Sequence, residues 1–566
     1  MTAKLPDWTT ARPDWEQRIV KGQSLMPCKP LFKNVADVAL QTFNALRVVD
    51  VLDSPEMGTI VREWVTEFVA AIFGAYDTKT KRRLINEFFL LIPKKNTKST
   101  IAAFIMLTAF ILNGRLSAEL IILAPTKEVA DNSFNPIRDA IRADSDLDEM
   151  MTISEHTKTI THSGTGATLK VVAAEDKSTG GKKAAWVLID ELHLFQTMSS
   201  AGSMFREATG GLASRPEGCL IWLSTQSKEP PCGVFKSKLD YARDVRDGKI
   251  IDKKFLPLIY EFPEHMIESE EYKDPKNFHI PNPNYGTSVD IEQINDDYKK
   301  SQYAGEDDVK DFFAKRLNVQ IGMNLRANRW AGSDFWEKKE AVFDLDYLIE
   351  QSECITVGFD GGGLDDLFSM YVIGRDKENH TLWRGWSMSW LHPIALERRK
   401  ENKQRMDDFV AAGELVIVAN IGEDVAQAGI LAKRIFDTGK MPKQGFGLDR
   451  LGMPSLVDGL LAAGIPETAL IAVKQGFELS GYATTAERKL AGGTFIPAKQ
   501  ELVKWAVSNA KGKMSGNALM ITKEHSGKGK IDPVIAMFNA VALMSNSPEP
   551  ANRVNIDEYL EDVVIA

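Results

Sequence analysis

Cysteine is scarce in this chain. Four cysteines (Cys28, Cys219, Cys232, Cys354) among 566 residues are too few for a disulfide framework. Their spacing fits no zinc motif, so a reducing compartment is expected. Long apolar runs are also missing. The best membrane candidate, AAFIMLTAFIL at Ala102–Leu112, has 11 residues. That is too short to cross a bilayer and reads as a buried helix, so no membrane partner is expected. The opening MTAKLPDW has no apolar signal core. An excess of positive charge is absent too: 69 Lys and Arg against 78 Asp and Glu leave a net −9. Contact with nucleic acid would have to come from local basic patches. No internal repeat is visible. What remains, 44% hydrophobic and 26% charged residues, excludes a disordered chain, a collagen-like chain or a coiled-coil fibre. The length suits about three or four domains, or two large ones.

The periodicity changes along the chain. REWVTEFVAAIFGAY (Arg62–Tyr76) carries apolar residues at helical spacing. From Leu84 onward, short apolar runs alternate with helical stretches. LINEFFLLIP, ELIILAPT, TLKVVAA, AAWVLIDE and CLIWLSTQ read as buried strands, and Ile101–Leu112 and Asp131–Arg142 as helices between them. This alternation predicts a largely parallel α/β sheet. Residues 227–340 are rich in Pro, Asn, Tyr and charge and read as a connecting region with some helices, such as Ile291–Gln302. A second α/β region opens at CITVGFDGGG. A meander follows, then two further strand candidates (ELVIVAN and GFGLDR) and an apolar terminal helix, Ile531–Ser545.

Two constellations carry chemistry. The first begins with KKNTKST, between a strand and an apolar helix. A phosphate-binding loop needs a tight turn there, with backbone N–H groups and the helix N-terminus facing the anion. It also needs a lysine, Lys98, and a hydroxyl for Mg²⁺, Ser99. Glycine ordinarily stands where this chain has Thr97 and Ile92. Taken alone, the segment reads at least as readily as a solvated basic turn. WVLIDELH then ends an apolar strand on Asp190 and Glu191, where an Asp can hold Mg²⁺ and the next Glu can polarise water. Thr225 ends another strand and is placed to sense a γ-phosphate; its plain alternative is a strand-to-loop exit.

The second constellation is four acids. Asp360 ends ITVGFD, with Asp366 close behind; Asp449 ends GFGLD; Asp532 opens the terminal helix. Brought together, such carboxylates can hold two divalent cations that clamp a phosphodiester. On spacing alone, helix capping and loop acids are the better explanation. Residues 511–530 add five Lys (511, 513, 523, 528, 530) against one Glu, a local +4 that suits a DNA backbone, or simply a solvated loop.

The ordered set PKKNTKST, APTKEVADNSF, WVLIDELHLF, LSTQS, NPNYGTSV, KRLNVQIG, VGFDGGGLDD, GLDRLG and GKIDPVIAMFNAVAL resembles the large terminase subunits of tailed bacteriophages, from about Glu63 to Ser545. The resemblance implies an α/β chain with an N-terminal P-loop ATPase domain of the additional-strand, catalytic-glutamate type and a C-terminal RNase H-like nuclease domain. The expected layout is a mostly helical extension at 1–60, the ATPase domain at 61–255, a connector at 256–340, the nuclease domain at 341–546 and a tail at 547–566. Lys95, Asn96, Thr97, Lys98, Ser99, Thr100, Asp190 and Thr225 would bind ATP, with Ser99 and Asp190 on its Mg²⁺ and Glu191 catalytic. Asp360, Asp449 and Asp532 would be the nuclease acids, with Asp366 as an auxiliary metal ligand and Mn²⁺ able to replace Mg²⁺. Arg138 and Arg142 both lie where a trans-acting arginine is expected.

The implied partners are double-stranded DNA, the small terminase subunit, the portal protein of the procapsid and further copies of the chain in a ring. The implied place is the host cytoplasm, with transient docking on the procapsid and absence from the mature virion. Two rivals share parts of this pattern: a cellular helicase–nuclease of defence or repair, and an inactive prophage remnant.

Overall fold

The computed structural model describes residues 7–174, 184–198, 200–320, 330–361, 363–398, 403–449, 454–515, 518–522 and 530–551. The chain divides into two compact units, Met1–Ile321 and Gly322–Ala566.

In the first unit, β1 (Tyr76–Asp77) and β2 (Arg82–Arg83) form a small ribbon. The remaining strands are β3 (Glu87–Leu91), β4 (Glu119–Ala124), β5 (Met151–Ser154), β6 (Thr159–His162), β7 (Thr168–Ala173), β8 (Ala184–Ile189), β9 (Cys219–Ser224) and β10 (Phe255–Ile259). They build one sheet in the order β10-β3-β9-β8-β4-β7-β6-β5. Pairing is parallel from β10 to β7 and antiparallel through β6 and β5. Every residue of β9 and β10 is buried, as expected of strands covered on both faces. The helix Lys98–Ile111 follows β3 and is buried from Ile101 to Phe110, which explains the 11-residue apolar run. The helix Lys127–Arg142 follows β4; its N-cap Thr126 accepts a hydrogen bond from the Val129 amide at 3.3 Å.

The segment expected to connect from 256 onward lies within this first unit as far as Ile321. FLPLI is wholly apolar and satisfies its backbone by pairing with β3. Pro257 cannot donate to a further strand, so the sheet ends there. Helices Ile291–Ala304 and Glu306–Leu317 follow. Among the described residues no helix is long and apolar enough to cross a membrane.

The second unit is built on β11 (Ser352–Gly361), β12 (Phe368–Asp376), β13 (Trp383–Leu391), β14 (Leu415–Ile417), β15 (Phe446–Asp449), β16 (Leu470–Val473) and β17 (Phe495–Pro497). A hairpin, β18 (Lys511–Ser515) and β19 (Ala518–Thr522), stands outside that sheet. The sheet order is β14-β13-β12-β11-β15-β16, with β17 also on β13. β11, β12 and β13 are an antiparallel meander, and β15 runs parallel to β11. Phe359, Phe368, Trp390, Phe446 and Leu460 form the core on one side; Trp330, Trp336, Tyr371, Phe495 and Phe538 belong to another cluster.

The helix Asp532–Met544 is buried along nearly its whole length and lies against β11. Gly358 permits this approach: a Cβ there would overlap the carbonyl oxygen of Ala536 and the amide nitrogen of Ala540. Thr356 Oγ1 donates to the Ala540 carbonyl at 3.0 Å, and Asn539 Nδ2 donates to the Phe359 carbonyl at 2.8 Å. Gly358→Ala should therefore push the helix off the sheet and destabilise the second unit by about 1–3 kcal/mol. Thermal unfolding checks this; an unchanged midpoint would mean the helix is not seated through that glycine.

Candidate active sites

The first site lies where β3, β8 and β9 end. Lys95 and Thr97 both have left-handed backbone, with φ of 74° and 60°. A β-branched residue in that region costs about 1–2 kcal/mol, which is why glycine is usual there. No described residue accepts a hydrogen bond from the backbone N–H groups of Asn96, Thr97, Lys98 or Ser99. The turn therefore offers a row of donors at the start of a helix, an anion-binding arrangement.

Lys98 is buried and bridges two acids: its Nζ is 3.0 Å from Asp190 Oδ1 and 3.0 Å from Glu191 Oε1. Asp190 is fully buried, and its Oδ2 accepts from Ser133 Oγ at 3.0 Å. Glu191 Oε2 accepts from Thr225 Oγ1 at 3.2 Å and lies 3.3 Å from His193 Nδ1. Burial alone would discharge Lys98, but the attraction of Asp190 and Glu191 outweighs it and raises the ammonium above its ordinary range. Burial likewise raises the Glu191 carboxyl, but Lys98 and then His193 win and hold it well below the usual carboxylate range. Lys98, Asp190, Glu191 and Thr225 are thus brought together. Ser99 and Thr100 are half-buried at the helix start, and Lys95 is exposed. The Asn96 side chain is buried against Pro93, Asn282 and Asn284, which leaves its backbone N–H for the anion.

Sequence reasoning missed Ser133, His193, Asn282, Asn284 and Ser288 around this site. All five lie in the resembling segments APTKEVADNSF, WVLIDELHLF and NPNYGTSV, but nothing in those segments assigns them a role. Arg138 pairs with Asp139 at 2.7 Å, and Arg142 with Glu155 at 2.6 Å.

The second site is a cleft of about 560 Å³ in the second unit. Asp360, Asp366, Asp449 and Asp532 all line it, together with Gln475. Asp360 is the last residue but one of β11 and Asp449 ends β15, so the parallel pair delivers both to one edge. Gly361 (φ +87°) turns the chain away from β11. A Cβ at 361 would overlap the Leu367 carbonyl oxygen and stand 3.1 Å from Asp532 Oδ1. Asn539 fixes the helix that carries Asp532, and its Oδ1 accepts from Gln475 Nε2 at 2.9 Å. Lys530, buried, pairs with Asp366 and donates to the Asp365 carbonyl. Among the described residues no three His, Cys, Asp or Glu side chains are gathered tightly enough to enclose a cation. The donor set nevertheless fits a hard divalent ion: four carboxylates face one open volume, and glycine keeps the space beside Asp532 clear. Of the Lys residues in the basic stretch, Lys523 and Lys528 lie outside the described residues, as do the side chain of Lys513 and the Asp449 neighbour Arg450. Asn539, Gln475 and the burial of Lys530 were missed from sequence.

A largely parallel-sheet unit with a turn of free N–H donors and a second α/β unit with an acid-lined cleft are the arrangement expected of an ATPase and a nuclease in one chain. A family model described as terminase large subunit, ATPase domain, matches residues 63–226, and one described as terminase large subunit, endonuclease domain, matches residues 249–547. The chain belongs to the terminase large subunit family, the ATP-hydrolysing and DNA-cutting enzymes of phage genome packaging.

The terminase large subunit of Lactococcus phage p2 is 20% identical over 479 residues, covering 81% of this chain and 82% of that protein. The crystal structure of the HK97 bacteriophage large terminase shares 17% identity and covers 90% of this chain and 99% of its own, with a TM-score of 0.47. The large terminase nuclease from thermophilic phage G20c, solved with bound magnesium, shares 12% identity over 38% of this chain and 98% of its own, with a TM-score of 0.25. The endonuclease model begins at 249, so its first part matches residues that fold with the first unit here. The family match disfavours the helicase–nuclease and remnant readings.

The buried Lys98 bridge gives a pH-dependent expectation. The stability due to the low Glu191 value is fully present above its ordinary value of 4.5 and is lost as pH falls through the folded value. Lys98→Met leaves two buried acids without their cation and should cost about 3–5 kcal/mol near pH 7. The loss should shrink on acidification, as Glu191 takes up a proton. Unfolding midpoints of both proteins from pH 7 down through 4.5 to about 2 would show it; a constant difference across that window would count against the bridge.

Proposed function

We propose that the two sites hold ATP and DNA respectively. In the first, the N–H groups of residues 96–99 and the Lys98 ammonium take the β- and γ-phosphates. Ser99 and Asp190 are the residues that would hold Mg²⁺, which supplies charge neutralisation on the phosphates. Glu191 orients and deprotonates the attacking water, and Thr225 ties its position to the end of β9. Lys98 must exchange its carboxylate partners for phosphate, which frees Glu191 to accept a proton. The observation that carries this reading is the meeting of Lys98, Asp190, Glu191 and Thr225, drawn from three strand ends, at about 3 Å.

In the second, Asp360, Asp449 and Asp532, with Asp366, are the residues that would hold Mg²⁺ or Mn²⁺, which supply Lewis-acid activation at the scissile phosphate. Lys530 holds Asp366, and Asn539 holds the Asp532 helix against β11. The domain limits that follow are those expected from sequence, with the motor unit extended to Ile321. The substrate is double-stranded viral DNA. The small terminase subunit, the portal protein and a homo-oligomeric ring are the partners, and the host cytoplasm the place of action, with transient docking on the procapsid and absence from the mature virion.

The test is purified protein with plasmid DNA, Mg²⁺ or Mn²⁺, and ATP, scored for cleavage and phosphate release. Glu191→Gln should keep nucleotide binding and slow hydrolysis about 10²–10⁴-fold, because the amide cannot take a proton. Normal turnover by that variant would remove Glu191 from the mechanism. Asn in place of Asp360, Asp449 or Asp532 should abolish cleavage while phosphate release persists. Cleavage that survives all three substitutions would move the nuclease centre elsewhere.

A further inference from the structure

The phosphate-binding turn keeps its left-handed backbone without glycine at Lys95 or Thr97, so something else must hold it. The holding groups come from a segment nearly 190 residues later in the chain. Asn96, fully buried, donates through Nδ2 to the Pro93 carbonyl at 3.1 Å and to Asn282 Oδ1 at 2.8 Å; its Oδ1 accepts from the Asn284 amide at 3.0 Å. Asn284 Nδ2 reaches Thr97 Oγ1 at 3.5 Å and Ser288 Oγ at 3.1 Å, and its Oδ1 accepts from Trp64 Nε1 at 2.8 Å. Ser288 Oγ donates to the Lys95 carbonyl at 2.7 Å. Asn282 is itself anchored, donating to the Phe278 and Arg316 carbonyls at 2.8 and 2.9 Å. Each strained position of the turn, and the residue between them, is therefore bonded to this one segment. All these contacts use side chains of the turn or the Lys95 carbonyl. None uses the N–H groups of residues 96–99, which stay available to an anion.

We propose that Asn282, Asn284 and Ser288 are positioning residues of the nucleotide site, holding the Lys95–Thr97 turn in the shape that receives the phosphates of a nucleoside triphosphate. The assignment rests on reading the Lys98 turn as a nucleotide site. It distinguishes itself from simple bracing of the fold by its dependence on residue 97. Glycine adopts the left-handed region without strain, so Thr97→Gly should make the clamp dispensable. A structural brace would be equally needed with either residue.

The experiment is a double-mutant cycle on the full chain. The readouts are affinity for a fluorescent ADP analogue, KM and kcat of phosphate release, and thermal midpoint. Asn284→Ala should weaken ADP binding and raise KM about tenfold, the loss expected for about one hydrogen bond. Its kcat should stay within about twofold, since no reacting group is touched. Thr97→Gly combined with Asn284→Ala should recover most of the affinity. If Asn284→Ala unfolds at the assay temperature, Ser288→Ala with Lys95→Gly replaces it as the same cycle on the second strained residue.

Wild-type affinity in the Asn284 single variant, or a double variant as weak as the single, overturns the clamp while leaving the nucleotide reading intact. An intact chain that binds no ADP analogue, or binds it equally well with Lys98→Ala, overturns the nucleotide reading instead.

Discussion

A lysine ammonium buried among strand ends cannot remain charged without anions beside it, and the first unit is arranged around that constraint. Lys98 is 5% exposed, Asp190 not at all, and Glu191 14%. Removing any one member leaves a buried charge without compensation, which is far more costly than the pair is favourable. The same fact makes the site responsive. On the proposed reading, a phosphate group offers Lys98 the anion it requires, and the carboxylate released is the one proposed to act on water. Binding and activation are then two consequences of one exchange of partners.

Parallel pairing brings the members together. β3, β8 and β9 run in one direction, so their carboxyl ends lie on one edge and deliver the Lys98 turn, Asp190–Glu191 and Thr225 to the same place. The second unit uses the rule once, with β11 and β15 carrying Asp360 and Asp449. It then adds Asp532 from the helix that Gly358, Thr356 and Asn539 seat against β11. Residues separated by tens to hundreds of positions become neighbours because strand direction, not sequence distance, decides where each strand ends.

This explains what could be read from sequence. Lys98, Asp190, Glu191, Thr225, Asp360 and Asp449 are legible as polar residues that close apolar runs, and the alternation of those runs is enough to predict the parallel sheet. β10 escaped because Pro257 interrupts an edge strand that otherwise resembles its neighbours. The β5–β6 hairpin is half polar, so no apolar run announced it. Asn282, Asn284 and Ser288 lie in the resembling segment NPNYGTSV, but hydrogen bonding across about 190 residues leaves no periodic trace of what they hold. Lys530 looked solvated in a basic stretch; composition gives charge but not burial, and Asp366 is what makes that burial tolerable.

The two units solve the same electrostatic problem with opposite signs. On the proposed reading both take hold of phosphate. The first does so with N–H groups and an ammonium, so its acids serve to keep the lysine charged and in place until an anion arrives. The second presents four carboxylates to an anionic backbone, a repulsive pairing unless cations intervene. Glycine is used accordingly. In the second unit it clears space, at Gly358 for the helix and at Gly361 beside Asp532. In the first, at the turn where glycine would relieve strain, side-chain hydrogen bonds do the holding. A turn held in that way has its shape fixed before ligand arrives, by side chains where glycine would adopt the same backbone without strain.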